Sequence, residues 1–181
     1  RINVTVSVSN FVPKPHTPFQ WAEQMDIEEM KRKHKILKDL FRTSKHCTLR
    51  IHDMRKSYLE GFLSRGDERT GDLIELAWKK GAKLDDYKDN YDIWKSSADE
   101  LGIDEKDYLG ARDLENNLPW DIVDIGVDKG FLLKEYKKAE EGTLTPDCRE
   151  VCSGCGMKKR FPNCLKIATE LIKIKLEERE W

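Results

Sequence analysis

No apolar run in the 181 residues approaches the ~18 that a membrane-spanning helix needs, and no signal peptide opens the chain, so a cytoplasmic home is expected. Charge of one sign is missing as well. With 33 basic side chains against 34 acidic ones the net charge is −1, which removes the whole-chain electrostatic case for nucleic-acid binding. There is no internal repeat and no low-complexity tract. Proline is scarce, six in all, and three of the six crowd between positions 13 and 18. Cysteine is scarce too, and four of the five fall between 148 and 164, which argues for a metal site rather than a disulfide framework.

What is present is a polar chain. Charged residues make up 37% and apolar ones 38%, and the length suffices for one core with an appendage. A piece lacking its packing partner has this composition. The chain opens at Arg1, without methionine, and enters a strand almost at once, so a fragment of a larger protein is expected.

Val4-Thr5-Val6-Ser7-Val8-Ser9 alternates with the period of a strand and is rich in β-branched residues. Pro13, Pro15 and Pro18 then remove backbone donors and fix φ, so the chain must leave the sheet as a stiff loop, bracketed by Phe11, Phe19 and Trp21. Such a loop is how α/β enzymes place substrate-facing atoms at the carboxyl edge of a sheet, and it is equally an ordinary strand-to-helix connection.

Further on, Asp26 with Glu29 forms a capping box for a helix over 26–44, whose stripe is Ile27, Met30, His34, Leu37 and Phe41. A lone histidine on such a stripe is expected as a packed core residue rather than a ligand. Residues 47–52 read as a short strand, with Cys47 a small buried hydrophobe and His52-Asp53 a candidate functional pair at the strand's end. A short helix around Tyr58 to Leu63 should end at a left-handed Gly66. Asp67 should cap the next helix, with Leu73, Ile74, Ala77 and Trp78 inward and Gly81 closing it. Helices over 90–101 and 104–110 follow. Leu118 to Ile125 reads as extended, and Asp128 starts a helix that Gly142 stops. Residues 171–177 satisfy strand and helix periods alike.

Cys148, Cys152, Cys155 and Cys164 are spaced C-x3-C-x2-C-x8-C, with glycines at 154 and 156. Close thiolates let one loop present several soft ligands to one centre, and by count four of them suit zinc or an iron–sulfur cluster equally. Cys164 joins the set only if the loop from Lys158 to Asn163 folds back. Lys158-Lys159-Arg160, beside them, is a candidate contact to an RNA backbone and equally a solvated loop.

The run from Val6 to Trp21, with Leu63-Ser64-Arg65-Gly66-Asp67, Leu118-Pro119-Trp120-Asp121 and Thr145-Pro146-Asp147-Cys148, resembles the carboxyl-terminal part of the cobalamin-binding radical S-adenosylmethionine enzymes. The resemblance covers most of the chain but only the end of that family's length. It implies that residues 1–46 are the last strand, loop and helix of a (β/α) barrel, that 47–142 form a mainly helical extension, and that 143–181 form a Cys-rich metal-binding segment with a terminal helix or strand. The fold class expected is therefore α+β, helix-dominated. The resemblance places Ser9, Phe11 and Val12 near the adenosine of S-adenosylmethionine. It implies a [4Fe–4S] cluster and S-adenosylmethionine in the full-length protein, with cobalamin as a further cofactor, the remainder of the same chain as partner, and methyl transfer or related radical chemistry. The family's catalytic triplet shares the C-x3-C-x2-C spacing but lies near the first barrel strand, so Cys148, Cys152 and Cys155 are expected not to be that triplet. The fragment is then inactive by itself. The alternative is a zinc- or cluster-binding module, structural or partner-binding, that contacts RNA through its basic cluster.

Overall fold

The computed structural model describes residues 2–83 and 87–164; the ambiguous stretch 171–177 lies outside them. Six α-helices and one two-stranded sheet among the described residues make an α+β chain dominated by helix. No described helix is long and apolar enough to cross a membrane. The chain divides into two compact units, residues 1–15 with 21–120, and residues 16–20 with 121–181.

The first unit begins with a β-α-β element. Strand β1 (Val4–Val8) and strand β2 (Cys47–Ile51) lie parallel, pairing Val4 with Cys47 through Val8 with Ile51, and helix α1 (Ile27–Phe41) is the crossover. Asp26 caps α1 by accepting the Glu29 N–H at 2.7 Å. The helix stops at Phe41, short of 44, because the Ser44 N–H turns back to the Phe41 carbonyl. Met30 and His34 are its buried residues, while Ile36 and Leu40 are 46% and 69% exposed. No residue of either strand is fully buried, although parallel strands ordinarily have both faces covered.

The core lies further along. Helices α2 (Met54–Ser64), α3 (Arg69–Lys79), α4 (Tyr87–Glu100) and α5 (Glu105–Leu109) close around Tyr58, Leu59, Phe62, Leu73, Trp94 and Tyr108. Phe62 stacks on Tyr108 with centroids 4.8 Å apart, and Tyr58 meets Tyr91 edge-on at 5.4 Å, the offset geometries aromatic quadrupoles favour. Asp53 and Asp104 cap α2 and α5 through the N–H groups of Arg55 and Lys106. Arg65 is fully buried, donating to the carbonyls of Leu109 (3.2 Å) and Gly110 (3.1 Å), so its guanidinium ties the end of α2 to the end of α5.

Three expectations need correction here. Gly66 has no left-handed φ; it is needed because a Cβ would fall 1.8 Å from Thr70 Oγ1. Ile74 and Trp78 face solvent, at 42% and 69% exposure, and Thr70 takes the inward place between Leu73 and the turn before. Pro119 opens a 3-10 turn (Pro119–Ile122) rather than an extended run, because its fixed φ suits the first residue of a helical turn.

In the second unit, helix α6 (Lys129–Glu140) stops before Gly142, as expected, and Gly142 is left-handed with φ +68°. Asp128 precedes it, but its carboxylate pairs with Lys159 at 3.1 Å rather than capping the helix. The Phe19 and Tyr136 rings meet edge-on at 6.1 Å.

Candidate functional site

The carboxyl end of the parallel pair is the best-organised polar place in the first unit. The Val8 carbonyl still accepts the His52 N–H at 2.9 Å, so both strands deliver their next residues to one edge. From β1 comes Asn10. Its Nδ2 donates to Ser57 Oγ on α2 at 2.9 Å and to the His52 carbonyl at 3.3 Å, which turns Oδ1 toward His34 Nε2 on α1, 2.7 Å away. That orientation assigns the proton to His34 Nε2. Burial, and next the charge of Lys38, hold His34 below its ordinary pKa, while Asp53 opposes them, so the ring is neutral at pH 7. His52 Nδ1 lies 3.2 Å from Ser57 Oγ. One amide therefore knots two strand ends to two helices.

His34 is buried as expected, but as a hydrogen-bonded member of this knot rather than an apolar packing group. His52 and Asp53 do not act as a pair: the His52 ring turns to Ser57, while Asp53 Oδ1 accepts the N–H groups of Arg55 and Lys56. Ser9 is exposed, Phe11 is 43% exposed and Val12 is half-buried; all three follow the end of β1, and the next residue, Pro13, is fully buried. Beside the knot, on the α1 side of β2, is a cleft of about 410 Å³. Lys38 and Arg42 line it together with Phe41 and Leu49.

The second unit holds the cysteines. Cys148 and Cys152 are exposed, Cys155 and Cys164 half-buried, and all are free thiols. The loop carrying them is braced. The Asp128 N–H donates to the Cys155 carbonyl at 2.8 Å, and Thr145 Oγ1 donates to Glu135 at 2.6 Å. Gly156 (φ +97°) sits where a Cβ would come within 2.8 Å of the Asp128 carboxyl group. The donor set suits zinc or a cluster in chemistry, yet among the described residues no three His, Cys, Asp or Glu side chains gather to hold a metal. The thiols as placed therefore do not fit a bound metal without rearrangement. Two cations of the basic cluster are engaged by carboxylates, Lys159 with Asp128 and Arg160 with Asp124.

The sequence reading missed Asn10, Ser57, Lys38 and Arg42. An asparagine two residues past a β-branched strand was the available signal. The chain matches no protein-family model, no curated protein and no solved structure.

Proposed function

We propose that the chain is the carboxyl-terminal part of a cobalamin-binding radical S-adenosylmethionine enzyme, and that it contributes the end of the barrel, β1, α1 and β2, without running the chemistry by itself. The observation that carries this reading is the open β-α-β element. Two parallel strands with no fully buried residue, and Val4 47% exposed, call for further strands and cover, and the Pro-rich loop leaves from the carboxyl edge where barrel enzymes hold their substrates. In the complete enzyme, reductive cleavage of S-adenosylmethionine would supply the radical. Ser9, Phe11 and Val12 would face the adenosine portion, and the Asn10 knot would keep their backbone in place. The test is 5′-deoxyadenosine release under reducing, oxygen-free conditions, from the chain alone and from full-length protein reconstituted with iron and sulfide. Release only from the latter is expected. Release from the chain alone overturns its dependence on the missing part, and none from the reconstituted full-length protein overturns the family reading.

A second reading is favoured by the bracing of the cysteine loop at Thr145 and at Cys155: a zinc- or cluster-binding module that recruits a partner, with RNA as one candidate. Metal and acid-labile sulfide analysis of protein purified without oxygen decides it. One zinc per chain without sulfide supports the module, iron with sulfide supports an auxiliary cluster of the enzyme, and neither metal overturns the module.

A further inference from the structure

The cleft beside the Asn10 knot is unassigned by either reading, and its charges are unbalanced. Along the first turns of α1, Lys31 pairs with Glu28 at 2.6 Å, and Arg32 and Lys33 pair with Glu29 at 2.6 and 3.6 Å. Lys38 and Arg42, one turn apart at the other end and both on the cleft, have no hydrogen bond or ion pair among the described residues. Like charges at this spacing repel, so the arrangement costs stability unless something answers it. The helix dipole accounts for cations in a last turn, but not for the hollow they line. Asp53 is the one carboxylate lining that hollow, and the N–H groups of α2 engage it. Phe41 and Leu49 are among its apolar lining, and the volume of about 410 Å³ holds a small organic molecule.

We propose that this cleft binds a small organic anion, its phosphate or carboxylate held by Lys38 and Arg42 and its apolar body laid on Phe41 and Leu49. Arg42 supplies the planar fork that takes two oxygens at once, and Lys38 a point charge beside it. His52, exposed at the strand's end, offers a further polar contact at the cleft's margin.

The experiment titrates phenyl phosphate, benzoate and benzyl alcohol separately into the 181-residue chain, followed by amide shifts in ¹⁵N NMR. At least one acid is expected to saturate with shifts at Lys38, Arg42, Leu49 and His52, and benzyl alcohol to bind about tenfold more weakly or less. The tighter acid names the anion as phosphate or carboxylate. Lys38→Gln and Arg42→Gln, both at exposed positions, should each weaken binding by about tenfold while the helical circular dichroism is kept. Equal binding of benzyl alcohol, or folded variants with unchanged affinity, would leave the two cations as dipole partners only and overturn the proposal. So would the absence of saturation by either acid. The comparison of probes on the unaltered chain decides the matter even if a variant fails to fold.

Discussion

Gln24 is 2% exposed, and its carboxamide fills a slot that exists because residue 61 has no side chain. Its Nε2 donates to the Ser57 carbonyl at 2.8 Å, while a Cβ on residue 61 would fall 1.8 Å from Oε1. Gly61→Ala therefore forces the amide out of a buried hydrogen bond, and we expect a loss of about 1–3 kcal/mol in urea unfolding. An unchanged midpoint would mean that Gln24 has another place to go. His34 makes a second prediction at this scale. Its folded pKa lies below the ordinary 6.5, so in the window beneath 6.5 the unfolded chain takes up the proton first. Its contribution to stability is complete above 6.5 and is lost as the pH falls toward the folded pKa. His34→Gln, which cannot titrate, should flatten that part of the stability–pH curve. A slope that persists unchanged in the variant would assign it to other groups.

At the scale of elements, the two strands and the four helices that follow them differ in how they are held. The β1–β2 ladder has no fully buried residue, whereas α2 and α4 pack Tyr58, Leu59, Phe62 and Trp94 into the core. Backbone bonds with little apolar cover open at low free energy, so hydrogen exchange should find the strand amides exchanging far faster than those of α2 and α4. Equal protection would show that the sheet stands without further strands. The same contrast explains what could be read beforehand. The starts of α1 and α5 are marked by Asp26 and Asp104, whose oxygens reach N–H groups only two or three residues on, so the signal is local; Asp53 caps α2 in the same way, although the sequence reading sets it beside His52 as a functional pair. The Asn10 knot joins residues 24, 42 and 47 positions apart, and no periodicity carries that information. Gly66 and Gly61 were opaque for a related reason: the atoms that forbid a Cβ there are the side chains of Thr70 and Gln24. Trp78 was misplaced because helical spacing locates a stripe but not how far round the helix the neighbours reach.

Across the whole molecule, apolar burial is uneven. The first unit holds nearly all of the buried hydrophobic residues, while Leu132 is the one such residue among the described residues of the second. Described residues with so little apolar burial have low local stability, and small units of that kind usually rely on a metal or a cross-link. The four thiols are free and not gathered, so any metal that binds them must draw the loop from Cys148 to Cys164 together as it binds. Binding and ordering are then one event, and affinity for the metal becomes stability of the unit. Added zinc should therefore slow hydrogen exchange in α6, through the Asp128–Cys155 bond, and leave α2 and α4 unchanged. Cys155→Ser should abolish the effect, whereas Cys47→Ser, at a cysteine in the first unit, should not. Slower exchange that survives Cys155→Ser would place the zinc elsewhere. No response at all would leave the braced loop as a thiol-bearing turn, its shape set by Gly156 and Thr145 and not by a metal.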